Sequence, residues 1–155
     1  MSAWDVAATV VDPEIPVLTI EDLGVLRTVD ERDGRVRVDL TPTYSGCPAI
    51  DAMRDDVRTA LEGAGYHDVE VRTVLSPAWT TDWMTADGKR KLHEYGITPP
   101  NSRAADGRTA LRMAVKCPRC DSLDTVELAR FGSTSCKALY ECRSCLEPFD
   151  FFKVL

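Results

Sequence analysis

Apolar and polar residues change their period several times along this chain, and each change marks an element. Ala3 to Val11 can form a short helix, which Asp12-Pro13-Glu14-Ile15-Pro16 ends, because each proline removes a backbone donor and steers its predecessor out of helical geometry. Val25 and Val29, then Val36, Val38 and Leu40, stand among polar neighbours in the alternation of a half-buried strand. Asp33-Gly34 lies between the two runs as a turn pair, so the stretch predicts a hairpin. The spacing then lengthens to three or four at Ile50, Met53, Val57 and Leu61, a helix with one buried stripe that Gly63 and Gly65 end. Val69, Val71 and Thr73 predict a third strand. Trp83 to Glu94 predict a last helix, stopped by Gly96 ahead of Thr98-Pro99-Pro100.

The order α-β-β-α-β-α predicts an α+β protein whose small α/β domain, residues 1–98, packs its helices on a short sheet. Two prolines and the polar run Asn101 to Gly107 make residues 99–112 a linker, and residues 113–155 a second domain of different character. That difference lies in the cysteines: one of the six, Cys47, falls in the first domain, and Cys117, Cys120, Cys136, Cys142 and Cys145 fall in the second. Cys117-Pro118-Arg119-Cys120 and Cys142-Arg143-Ser144-Cys145 are two CxxC knuckles separated by 21 residues, close to the range of about 15 to 20 typical of zinc ribbons. A two-residue spacer lets both sulfurs of a knuckle reach one ion. Four thiolates fill the tetrahedral shell of Zn²⁺ and leave no open position, so the ion would be structural. Some 40 residues bury too little apolar surface to fold unaided, and metal binding would supply much of the folding free energy. Rubredoxin-like iron and a redox dithiol pair are the other chemistries that CxxC permits. Cys136 shares a strand face with Ala138, Tyr140 and Cys142; it is either a small buried hydrophobe or an additional thiol, a reserve ligand or a second transfer group.

Composition narrows the function classes. With 44% hydrophobic and 28% charged residues the chain is globular, and no run approaches the roughly 20 apolar residues of a membrane helix. The N-terminus lacks the pattern of a secretory signal, so the expected location is the cytoplasm, where thiols stay reduced and paired cysteines favour metal ligation over disulfides. The formal charge of -6 is concentrated in the first domain, which would repel phosphate backbones; nucleic acid and membrane are therefore not expected as partners. There is no GxxxxGK phosphate loop and no GxSxG elbow. His67 and His93, the two histidines, lie in a turn and on a charged helix, which predicts surface positions.

Cys47 precedes Pro48 at the entry to the amphipathic helix. A thiol there feels the positive end of the helix dipole, which favours thiolate and hence metal ligation or nucleophilic attack; the competing reading is a cysteine packed into a tight turn. Trp79, Thr80, Thr81, Asp82, Trp83 and Met84 form an aromatic cluster at the start of the last helix, with Thr81 or Asp82 as its cap. Trp79 and Trp83 are candidates for partner docking or for core packing.

The segments DPEIPVLTIEDLGVLRTV, VRVDLTPTYSGCPA and LSPAWTTDWM resemble the small α/β family of metal-sulfur cluster biosynthesis proteins that includes SufT. Taken with KLHEYGITPP, the two knuckles, FGSTSCKALYEC and EPFDFFK, the chain resembles the PaaD (PaaJ) family, accessory subunits of the phenylacetyl-CoA ring epoxidase of phenylacetate catabolism. The resemblance spans about Asp12 to Lys153. It implies a non-enzymatic maturation factor whose clients are the epoxidase reductase or oxygenase subunits and the iron-sulfur assembly machinery. It also implies a first-domain cleft of Asp12, Glu14, Thr41 and Cys47, with Cys47 as the ligand for a transient iron-sulfur cluster or iron. Asp12 and Glu14 would supply oxygen ligands, order the loop or accept the thiol proton; carboxylates so placed oppose the helix dipole at the sulfur. A homodimer could bring two copies of Cys47 together. The rival readings are a structural adaptor subunit of the same oxygenase and a thiol oxidoreductase using a CxxC.

Overall fold

The computed structural model describes residues 1–100 and 114–154, and the chain divides into two compact units, Met1–Gly88 and Lys89–Leu155. Most of the linker expected at 99–112 lies outside the described residues.

In the first unit, helix α1 spans Ala3–Ala8, shorter than the expected Ala3 to Val11. Ser2 and Asp5 form a reciprocal capping box at its start. At its end the Thr9 hydroxyl donates to the Val6 carbonyl, and Val11 leaves to bridge with Thr19. Strands β1 (Leu26–Arg32) and β2 (Arg35–Leu40) form the expected hairpin, turned at Asp33 and Gly34, both in the left-handed region. Helix α2 (Ala49–Gly63) then carries the chain back to β3 (Asp68–Thr73), which lies parallel to β2, so the sheet order is β1-β2-β3. Val36, Val38, Leu40 and Val71 on one sheet face are buried, as are Met53, Val57 and Leu61 of the α2 stripe. The other face carries cross-strand ion pairs in register: Arg35 with Asp68, Arg37 with Glu70 and Arg72 with Asp39. Alternation therefore sorts one sheet into an apolar side under helices and a charged side.

The helix expected from Trp83 to Glu94 is broken. A 3-10 turn spans Thr81–Trp83, Met84 is extended, and helix α3 covers Ala86–Glu94. The cause is a tether that periodicity does not report: the Thr85 amide donates to the Asp22 carbonyl at 2.9 Å, and the Thr85 hydroxyl accepts from the Gly88 amide at 2.9 Å. Thr80 caps the turn, not Thr81 or Asp82.

The second unit holds a four-stranded sheet in the order β4-β7-β6-β5, built from β4 (Ile97–Thr98), β5 (Thr125–Ala129), β6 (Lys137–Cys142) and β7 (Pro148–Phe152). Its β5, β6 and β7 are antiparallel neighbours, while β4 joins β7 in parallel. The observed architecture is thus α+β, two small sheets with helices on the first.

Candidate functional site

In the second unit, β6 ends at Cys142, and the two knuckles repeat one local geometry. The Cys117 carbonyl accepts from the Asp121 amide and the Cys142 carbonyl from the Leu146 amide, four residues on in each case. The Cys117 amide donates to the Ser122 carbonyl, and the Cys142 amide to that of Glu147. Asp121 and Leu146 both adopt positive φ, 62° and 64°. The hydroxyls of Ser122 and Ser144 meet at 2.8 Å, linking one knuckle to the other.

The four sulfurs of Cys117, Cys120, Cys142 and Cys145 lie within 4.8 Å of one another, with Cys120 to Cys142 at 3.5 Å and Cys117 to Cys145 at 3.8 Å. Sulfurs about 2.3 Å from a central ion at tetrahedral positions are separated by about 3.8 Å, so the donor set fits a tetrahedral metal. The separations are far from the roughly 2 Å of a disulfide. Cys117 and Cys142 are buried in a small core with Val115 and Phe149, against which Tyr140 and Phe151 pack. Cys120 and Cys145 lie toward solvent.

Protons on these sulfurs compete. The Cys142 thiol is drawn down to about 6, first by the Cys145 amide and then by the Ser144 amide and neighbouring thiols. The Cys120 thiol, although the Ser122 amide favours its ionisation, is pushed up to about 12 by the Cys142 sulfur and by loss of solvent. One thiolate among four suppresses the next; a dication removes that conflict by replacing the protons. Cys136 stands outside the cluster, 5% exposed, with its sulfur 3.0 Å from the Thr134 hydroxyl, which is the environment of a packed hydrophobe.

In the first unit, Cys47 sits in the loop between β2 and α2. Pro48 occupies the cap position and Ala49 begins the helix, so the sulfur lies just before the first turn. It is 7% exposed. Burial pushes its thiol above the ordinary value; the Ala49 amide pulls the other way, the Glu14 charge adds to the rise, the Tyr44 side chain lowers it, and the Asp12 charge raises it again. The net direction is upward, so here desolvation and carboxylates outweigh the helix end.

The loop places Asp12 and Glu14 near Cys47, but with unequal duties. Asp12 is buried, and its Oδ1 accepts from the amides of Glu14 at 2.7 Å and Ile15 at 2.6 Å, so it orders the loop. Glu14 is exposed. Thr41, 2% exposed, ties the end of β2 to the first loop by its amide bond to the Val25 carbonyl at 2.9 Å. These residues do not converge as the ribbon sulfurs do; the four ribbon cysteines are the one such grouping of possible metal ligands among the described residues. Sequence reasoning passed over Tyr44. Its signal was the TPTYSGC loop, where a large amphipathic ring stands three residues before the cysteine.

Trp79 is core: it is 6% exposed and its indole nitrogen donates to the Leu23 carbonyl at 2.9 Å. That placement matches core packing, one of the two readings open for Trp79. Trp83 is half-buried, with the Arg27 guanidinium 3.5 Å over its ring. His67 and His93 are exposed, as expected.

Residues 4–73 match the iron-sulfur cluster assembly protein family, and residues 101–153 match the PaaD zinc beta ribbon domain. The chain is 48% identical over 152 residues to a "putative 1,2-phenylacetyl-CoA epoxidase" subunit of Escherichia coli (strain K12), covering 98% of this chain and 91% of that one. It is 40% identical over 86 residues to an Fe-S protein maturation auxiliary factor of Porphyromonas gingivalis, covering 54% of this chain and 81% of that one. Among solved structures, a domain of unknown function from Bacillus anthracis superposes with a TM-score of 0.54 at 26% identity, covering 58% of this chain and 87% of that one.

Proposed function

Because this chain belongs to the PaaD family, which joins an iron-sulfur cluster assembly domain to a zinc β-ribbon, we propose that it is an accessory factor that helps build an iron-sulfur cluster or iron centre for a phenylacetyl-CoA epoxidase. The observation that carries this reading is the division of sulfur. Residues 4–73, the part matching the assembly family, hold Cys47 as their sole cysteine, beside the Glu14 carboxylate and the Tyr44 hydroxyl. Iron or a cluster would be cargo, taken by Cys47 when its proton leaves and passed to a protein client. Zinc, held by Cys117, Cys120, Cys142 and Cys145, would fold the ribbon and keep those thiols out of the reaction. The clients would be the reductase or oxygenase subunits of the epoxidase, met in the cytoplasm. No step acts on an organic substrate.

One observation favours a second reading, a structural adaptor of the same complex: Cys47 is 7% exposed, as a packing residue would be. Replacing Cys47 by alanine in cells and measuring iron and activity of the purified client separates the two. A maturation factor loses most client iron, and an adaptor keeps it while still co-purifying with the oxygenase. Unchanged client iron would refute the cargo role.

A further inference from the structure

The sheet of the first unit ends in an unpaired edge, β3, whose single strand neighbour is β2. Backbone groups alternate between the two sides of a strand, and the Val74 amide donates to the Leu40 carbonyl at 2.8 Å. The even-numbered residues of β3 therefore bond to β2, and Val69, Val71 and Thr73 direct their amides and carbonyls outward. Among the described residues this outer row has one partner, Arg54 of α2, whose Nη2 lies 3.5 Å from the Val71 carbonyl, the outer limit of a hydrogen bond. The rest of that guanidinium is poorly served: Nη1 is 3.4 Å from the Asp51 carboxylate, and Nε is buried with no acceptor among the described residues. A row of free amides beside an orphaned donor is an edge suited to an added strand, which brings carbonyl groups to both. The opposite edge differs. β1 carries a register shift between Leu26 and Thr28, which turns an edge out of pairing geometry, whereas β3 keeps register with β2 throughout.

The charged face decides which strand fits. Its rows run Asp30-Arg37-Glu70 and Thr28-Asp39-Arg72 across β1, β2 and β3, with Arg37 to Glu70 at 2.9 Å and Arg72 to Asp39 at 2.7 Å. An antiparallel copy of β3, in the register that sets Val71 opposite itself, puts Glu70 opposite Arg72 at two symmetry-related places, so the alternation of sign continues through both rows. The neighbouring registers, centred on Glu70 or on Arg72, would oppose like charges. We propose that β3 is a self-association edge: two copies of this chain join β3 to β3 about a two-fold axis at Val71, forming a six-stranded sheet with Glu70-to-Arg72 ion pairs across the seam. An axis normal to the sheet keeps both copies of α2 on one face and both charged faces on the other. Six residues a side fall well short of the roughly 20 to 30 of a stable interface, so the dimer is reversible.

Sedimentation of the zinc-loaded full-length protein between about 10 μM and 1 mM, where so small an interface would associate, tests this. The wild type should pass from monomer to dimer. Thr73→Pro removes an outward amide that β2 does not use, and Glu70→Lys sets a cation opposite Arg72. Each should weaken association about tenfold or more while the far-ultraviolet dichroism stays unchanged. Adding Arg72→Glu to Glu70→Lys restores opposite signs across the seam and should recover most of the lost association, since the exposed pairs given up within each sheet contribute little. A wild type that stays monomeric over the whole range overturns the proposal and leaves the edge to a strand from a different protein. A dimer that neither single variant weakens overturns it as well, because the contact then lies elsewhere. Should Thr73→Pro fail to fold, the charge exchange decides: a double variant that associates no better than Glu70→Lys counts against the seam. Neither Cys47 nor a client enters the measurement, so a failure here leaves the cargo role to the Cys47→Ala experiment.

Discussion

The two units treat sulfur in opposite ways. In the first, the fifteen residues of α2 and a three-stranded sheet make an apolar core that holds one thiol whose ionisation burial disfavours. In the second, two of the sulfurs are part of the core: Cys117 and Cys142 are 0% exposed and cluster with Val115 and Phe149, with Tyr140 and Phe151 alongside. The fold positions the chemistry in one unit, and the chemistry positions the fold in the other. Removing a sulfur should therefore mean different things in the two places.

The largest predicted effect breaks that symmetry outright. Chelation of the metal, or Cys117→Ser, should unfold the ribbon, because metal binding to such sites is linked to folding by about 10 to 16 kcal/mol and the remaining apolar core is small. Cys47→Ala should leave the fold of both units intact. Amide spectra of the whole protein check this: ribbon resonances should collapse while those of β1, β2 and α2 persist. Simultaneous loss of both sets would mean that the ribbon does not fold as a separate metal-dependent element.

The contrast also governs what could be read in advance. Regular periodicity exposed β1, β2, α2 and β3, because alternation and the three-to-four stripe are direct consequences of burying one face. The CxxC spacing exposed the four-cysteine cluster, because a tetrahedral sulfur shell limits how the chain can be arranged. Hidden from the sequence were features set by contacts distant along the chain. The Thr85 tether to Asp22 breaks the expected helix at Met84, and the Trp79 indole is claimed by Leu23, 56 residues away. The protonation of Cys47 was equally hidden, since it depends on the balance of burial, an amide and two carboxylates that only the folded loop assembles. Cluster chemistry in the ribbon is legible because it is local; the first unit's site is not.

A smaller effect sharpens the claim that the first unit's site depends on remote packing. Gly24 has a φ of +74°, and a Cβ there would lie 2.5 Å from the Trp83 carbonyl oxygen. Gly24→Ala should cost more than the about 1 to 2 kcal/mol of the left-handed conformation alone, since backbone must also move. The variant should lower the denaturation midpoint of the first unit and leave the metal content of the ribbon unchanged. A neutral substitution would show that the loop from Glu21 to Gly24 and the segment from Trp79 to Trp83 do not depend on their close approach.

The smallest effect concerns the charge on one exposed carboxylate. Cys47 has its thiol raised by burial and by Glu14, so at neutral pH it is protonated, and the stability gained by keeping it neutral is complete below the unfolded thiol value of about 8.5. That contribution falls away as pH rises through the higher folded value. Glu14→Gln removes one of the two anions acting on the sulfur, so the midpoint of the pH profile for Cys47 alkylation should move down while the plateau rate at high pH stays the same. A Glu14→Gln profile that shifts up, or that changes only its plateau, would place this carboxylate on the loop's mechanics and not on the electrostatics of the thiol. Charge and access at Cys47 are separable in one set of rate curves, whereas loss of a clustered sulfur in the ribbon should change the fold.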